Sequence, residues 1–374
     1  MPSSISNFEI PAPERVVPAR GWPRPALLAF LLAVAGSVLW EWNARRLEYT
    51  PSYADTFGLW AIERRKVHER PDPMVAVGSS RTFFDLDLGV WKEMTGEAIM
   101  QLAIVGTSPR PFLNDLADDS TFRGFVLVGV TPNLFVAQRG FRARFLEEAR
   151  KETPSQRLGQ QLAMRLERRL AFLAKDDLPL FALLRHIRMP NRKGVDDPYL
   201  EVWRLETIGE NRQAYMWEKL ERDPRLIEHA TMAWADGMDE RPPVSDATID
   251  STLAANRAAV DRIRARGGEV VYVRWPSAGG YVPHETRTAP RERVWDPLLR
   301  ATNAIGVHFE DHPQLRGYDL PEWSHLAARE TPRFTRALIP IIRDSLCARG
   351  SAWAYRLGAS PGSCGAAPPA GNGP

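Results

Sequence analysis

From Pro73 onward the chain alternates short, uninterrupted apolar runs with amphipathic stretches. Pro73–Val77 (PMVAV) stops at Gly78-Ser79-Ser80 and is followed by an amphipathic segment through Met94. Ala98–Val105 (AIMQLAIV) stops at Gly106-Thr107-Ser108-Pro109, and Gly124–Val130 (GFVLVGV) follows a helical stretch that ends near Asp118. Such runs lack the alternation of a half-exposed strand and predict strands buried on both faces, as in a parallel sheet covered by helices. The rhythm resumes with a helix over Ile249–Arg266, stopped by Gly267-Gly268, and a fourth strand, Glu269–Val273 (EVVYV). A helix over about 293–304, a short fifth strand at Val307–Phe309 and a last amphipathic helix over about 329–347 complete it. The expected fold is α/β: a three-layer α/β/α domain with a mostly parallel, flavodoxin-like sheet.

Two regions break the rhythm. Between about 137 and 246 Arg, Glu, Leu and Trp recur at helical spacing, which predicts a helical insertion after the third strand serving as a cap, lid or partner-binding surface. Its charge runs read as solvated helix faces. At the N-terminus, Ala26–Trp40 is uncharged and apolar, preceded by Arg20 and Arg24 and followed by Arg45 and Arg46. With Trp22 and Trp42 as interfacial anchors it reaches the roughly 20 residues of a membrane span. Residues 26–42 are therefore expected to be a transmembrane anchor; a cleaved signal peptide ending near Ala33-Val34-Ala35 is the competing reading, and either exports the rest. The remaining boundaries are a disordered segment over 1–25, a connector over 43–72, the α/β domain over 73–356 and a disordered tail over 357–374.

Composition narrows the function classes. The formal charge of +3, from 49 Lys+Arg against 46 Asp+Glu, gives no reason to expect nucleic-acid binding. Two cysteines exclude a disulfide-dense scaffold and a Cys-rich zinc site; a bridge between Cys347 and Cys364 stays open and would be peripheral. His308-Phe309-Glu310-Asp311-His312 matches no strong ligand spacing, and there is no phosphate-cradling Gly-rich loop, so no metal and no cofactor is expected.

Chemistry is expected where the carboxyl ends of strands meet loops. Ser80, in the turn after the first strand, can expose its hydroxyl at the sheet edge, or serve as an ordinary helix cap. Arg81 beside it either pairs with Asp85 four residues on or binds an anionic substrate group. In Glu322-Trp323-Ser324-His325, just before the last helix, an acid three residues ahead of a histidine can hold the tautomer of a base. Gly106, after the second strand, and Thr131 or Asn133, after the third, are candidate oxyanion donors or plain turn residues. Arg274, Trp275 and Trp323 fall near the same edge as possible substrate contacts, with core or lid packing as the alternative for the tryptophans.

A serine in a Gly-x-Ser turn, a glycine after strand two, a polar residue after strand three and an acid-x-x-His before the last helix together resemble the SGNH (GDSL-like) hydrolase superfamily. With the membrane anchor and the Gly-Ser-Ser turn, the chain looks most like its bacterial cell-envelope branch, the DltD-like and AlgJ/AlgX-like proteins. The resemblance covers roughly 73–131 and 268–346. It implies Ser80 as nucleophile, His325 as base, Glu322 as acid with Asp319 as an alternative, and Gly106 as an oxyanion donor. It further implies an ester hydrolase or O-acyltransferase in the periplasm, held in the bacterial inner membrane and acting on an acylated glycan or lipid-linked sugar, with a membrane-bound acyltransferase as a possible partner. A catalytically silent binding or assembly module is the other reading. The chain departs from the family pattern at Ser79, where the hydrolases usually have Asp, at Glu322, likewise, and at Gly129-Val130-Thr131, which replaces a Gly-x-Asn-Asp block.

Overall fold

Five strands form one sheet in which every pairing is parallel: β1 (Met74–Val77), β2 (Ile99–Gln101), β3 (Phe125–Val130), β6 (Glu269–Arg274) and β7 (Ile305–His308), in the order β2-β1-β3-β6-β7. The computed structural model describes residues 21–136, 143–173, 204–236, 238–360, 362 and 364. All five expected strands are present, and the register is set by their alternation. Val75, Val77, Val126, Val128, Val130, Val270 and Tyr272 enter one apolar cluster. Met74, Ala76, Phe125, Leu127, Val271, Val273, Ile305 and Val307 enter the other. Both faces of the sheet are thus covered, and each fully buried Val, Leu or Phe contributes about 1.5–3 kcal/mol by leaving water.

The rim above the strand ends is set by a close approach of backbones. A Cβ on Gly78 would lie 2.0 Å from Thr82 Oγ1, and one on Gly129 would lie 1.6 Å from it. Only glycine leaves room for that hydroxyl, which also accepts from Trp275 Nε1 at 2.9 Å. The amphipathic segment after β1 is two helices, Ser80–Asp85 and Leu88–Thr95, divided where the Asp87 side chain caps the second by accepting from Val90 N at 2.8 Å.

Three of the expected segments hold more structure than the sequence indicated. Residues 43–72 are more than a connector: they hold the helix Phe57–Lys66, whose Trp60 is buried and donates to Leu102 O at 3.2 Å. The described part of the insertion is mixed, with helices Arg144–Lys151, Pro154–Glu167, Glu218–Arg222 and Pro224–Ala235 around an antiparallel ribbon, β4 (Glu206–Ile208) and β5 (Ala214–Met216). The ribbon is bound to the domain by Arg212, buried and forked onto Asp55 at 2.8 and 2.9 Å, with Gln101 O at 2.6 Å. Cys347 and Cys364 form a disulfide with a Cα–Cα distance of 4.7 Å, which ties the tail to the helix Thr331–Ala348. Most of the tail, the N-terminal segment to residue 20, and 137–142, 174–203 and 237 of the insertion lie outside the described residues.

The N-terminal helix, Pro23–Arg46, is 24 residues long with a mean hydropathy of 1.6 over its most apolar window, long and apolar enough to cross a membrane. It extends the expected span at both ends because Pro23 suits the first helical turn and Arg45 and Arg46 favour the last.

Candidate functional site

The loop 322–326 lies against the helix Ser80–Asp85, residue for residue. Arg81 Nε donates to Ser324 Oγ at 3.4 Å, the His325 ring stacks on Phe84 with centroids 4.3 Å apart, and Leu326 N donates to Asp85 Oδ1 at 2.9 Å. Phe84, with the imidazole stacked on it, stands about one helical turn after Ser80. The two loops singled out in the sequence therefore meet on one rim of the sheet.

Glu322 is the acid that holds the histidine. Its Oε1 accepts from His325 N at 2.7 Å and faces His325 Nδ1 at 2.9 Å, while Oε2 accepts from Trp234 Nε1 of the insertion. Burial pushes this carboxyl up, but His325 and Trp234 outweigh it and leave it below the usual glutamate range. An ionised Glu322 requires Nδ1 to be the donor, so in the neutral ring Nε2 carries the lone pair. His325 Nε2 is buried and has no hydrogen-bond partner. Asp319, the alternative acid, is instead exposed and paired with Arg329.

Ser80 begins the helix and is partly exposed, whereas Arg81 through Asp85 are all buried. Neither serine of the turn is a side-chain cap: Ser79 occupies the N-cap position without capping, and its Oγ is 2.6 Å from Thr131 Oγ1. No hydrogen bond joins Ser80 Oγ to His325 Nε2.

The expected oxyanion donors are not gathered with the serine. Thr131 is committed to Ser79, and Asn133 Oδ1 accepts from Thr288 Oγ1 at 2.8 Å. Gly106 is exposed with φ +66°, a left-handed turn position, and a Cβ there would meet open space, so its glycine serves the turn rather than a close approach.

Arg81 does not pair with Asp85. Its Nη2 lies 2.7 Å from Glu285 Oε1, and its guanidinium covers the Tyr281 ring at 5.0 Å. Glu285 Oε2 accepts from Arg274 Nη2 at 2.5 Å and from Ser277 Oγ at 2.9 Å, so one buried carboxylate serves two guanidiniums. Burial raises Glu285, yet Arg274 and Arg81 outweigh it and hold the group below the usual range. Burial, with Arg81 adding to it, lowers Arg274 to about 10 against the pull of Glu285. Asp85, fully buried with Oδ2 unpartnered, is pushed well above the usual carboxylate range by that burial.

Arg274 and His308 line a cavity of about 240 Å³ at the ends of β3, β6 and β7, together with Val130, Ser277, Glu285 and Trp295. Burial first, then the Arg274 and Arg291 cations, lower His308 to about 3, so its imidazole is neutral. Trp275 lies in the core, its indole spent on Thr82. Trp323, at φ +74°, stands against Gly279 and Gly280 and accepts from Ala278 N through its carbonyl at 2.8 Å, so it packs the loop after β6. Among the described residues no group of three or more His, Cys, Asp or Glu is placed to hold a metal ion.

Trp234, Glu285 and Phe84 are the residues that the sequence left unmarked. The first two lie 88 positions from Glu322 and 11 from Arg274, with no local spacing to betray the contact. The chain matches no protein-family model and no curated protein.

Proposed function

We propose that this chain is a membrane-anchored, SGNH-like ester hydrolase or O-acyltransferase of the bacterial periplasm, built on a three-layer, flavodoxin-like domain. The strand order β2-β1-β3-β6-β7 supports the fold, because it reverses at β1 and opens a crevice at the strand ends. The Cys347–Cys364 bridge supports an oxidising compartment. The observation that carries the reading is the buried Glu322–His325 pair, set with an unpartnered Nε2 on the helix that begins at Ser80.

Ser80 Oγ attacks the acyl carbonyl as His325 Nε2 takes its proton, and Glu322 holds Nδ1–H and steadies the imidazolium. The backbone N–H groups at the start of the helix face the developing oxyanion. His325 returns the proton to the leaving alcohol. The acyl-enzyme then passes its acyl group to water or to a hydroxyl of an envelope glycan or lipid-linked sugar. Arg274 lines the substrate side, and a membrane-bound acyltransferase is the partner that would supply the acyl group.

The second reading is a non-enzymatic binding or assembly module for such an acyltransferase or a polymer-export system. It is favoured by the missing Ser80–His325 hydrogen bond and by the commitment of Thr131 to Ser79. A fluorophosphonate probe separates the two. The enzyme gives labelling that is lost in both Ser80→Ala and His325→Ala; a folded chain that takes no label is the module.

A further inference from the structure

The helix Pro154–Glu167 carries its leucines on the wrong side for a globular protein. Its inward face is mixed: Met164 packs against the core, but Gln160 Oε1 accepts from Thr56 Oγ1 at 2.7 Å, and the buried Glu167 accepts from Ala54 N at 3.5 Å. Leu158, Leu162 and Leu166, spaced by four and so aligned on one stripe, point the other way and are 57%, 48% and 54% exposed. A surface helix in water buries such a stripe against the core. A helix that presents a leucine stripe outward, over an inward face that is partly polar, is matched to an apolar medium on its far side.

Two further observations identify that medium. The chain that leaves this helix is bound to the end of the apolar helix Pro23–Arg46: Glu41 accepts from Ala171 N and Phe172 N, each at 3.1 Å, and Arg45 Nη2 donates to Arg169 O at 3.0 Å. Glu41 and Arg45 stand beside Trp42 and Arg46, the aromatic and basic residues that mark a bilayer's interfacial level. The leucine stripe therefore starts at the height where the apolar helix leaves the membrane. The stripe is also basic at that end: Arg165, Arg168 and Arg169 are exposed and form no salt bridge among the described residues. Leucines flanked by free arginines on one helix suit the boundary between acyl chains and anionic headgroups.

We propose that Pro154–Glu167 is an interfacial helix, lying on the leaflet from which the apolar helix emerges, with Leu158, Leu162 and Leu166 in the acyl region and Arg165, Arg168 and Arg169 at the headgroups. This rests on the reading of Pro23–Arg46 as a membrane span and is independent of the esterase reading. The inserted leucines add a second attachment to the single span and fix the tilt of the domain over the leaflet.

The test uses the full chain in nanodiscs of phosphatidylethanolamine and phosphatidylglycerol, with Leu162→Cys carrying an environment-sensitive fluorophore and Asp250→Cys, exposed on the helix Asp246–Arg264, as reference. The expected result is a blue-shifted emission at 162 that loses most of its intensity to lipids bearing a shallow doxyl quencher, with no such loss at 250. An emission at 162 as water-exposed and unquenched as that at 250 overturns the proposal. So does a shielded probe that lipid quenchers leave untouched, which would assign the stripe to a second protein. Flotation of the chain with vesicles separates the two premises. Failure to float removes the membrane span and this inference together, whereas floating with an unquenched probe removes the inference alone.

Discussion

Glu322 accepts three hydrogen bonds while fully buried, whereas the positions expected to donate to an oxyanion are each tied elsewhere or turned to the surface. The base side of the rim is over-determined: His325 is fixed by Glu322 below and Phe84 beside it, and its neighbours are pinned to Arg81 and Asp85. The donor side is occupied by a Ser79–Thr131 hydroxyl pair. The contrast shows where rigidity has been invested. Around that loop an acid, an imidazole and a second carboxyl are buried together, with Trp234 reaching in from the insertion.

The sharpest way to break this comparison is Glu322→Gln. An amide in place of the carboxylate can no longer enforce the Nδ1–H tautomer, and turnover of an activated ester should fall by about 10⁴-fold. A loss under tenfold would mean that the buried pair is structural only. A second substitution, Asp85→Asn, asks whether the neighbouring carboxyl is kept neutral. Its folded-state pKa is raised, so its stabilising effect is full at pH below the unfolded value near 3.9 and is lost as pH rises from there through the folded pKa. Asparagine keeps an acceptor for Leu326 N and has no proton to lose. The variant should match the wild type near pH 4 and exceed it in Tm at pH 7, as read by thermal unfolding across pH. A lower Tm at pH 7 would mean an ionised Asp85 paired in the fold. The smallest effect is expected on the other side of the rim, at Thr131→Val. A working oxyanion donor is worth about 10²–10³ in kcat, but a hydroxyl spent on Ser79 should cost less than about tenfold. A hundredfold loss would restore Thr131 as a donor and dissolve the asymmetry.

The sheet was legible because its signal is local: an uninterrupted apolar run such as FVLVGV needs two covered faces, and Gly or Ser closes it. Ser80, Glu322 and His325 were legible for a related reason, since each sits in a turn at a strand end or just before a helix. What escaped was set by long-range contact. Nothing near Arg81 indicates Glu285, so the helical rule of i to i+4 pointed to Asp85 instead. The ribbon β4–β5 was hidden in a segment dominated by helical spacing because its strands span only three residues each. Trp60 looked like part of a linker because its pocket is assembled from residues far along the chain, Phe112 and Phe145 among them.

The wedge of Thr82 between Gly78 and Gly129 has a consequence for how the turn can move. The strand ends touch through that hydroxyl with no side chain to yield, so the main chain carrying Ser80 cannot drift without lifting β1 from β3. The imidazole opposite is equally immobilised between a carboxylate and a phenyl face. The freedom that remains at the turn without rearranging the fold is rotation of the Ser80 side chain between its staggered wells.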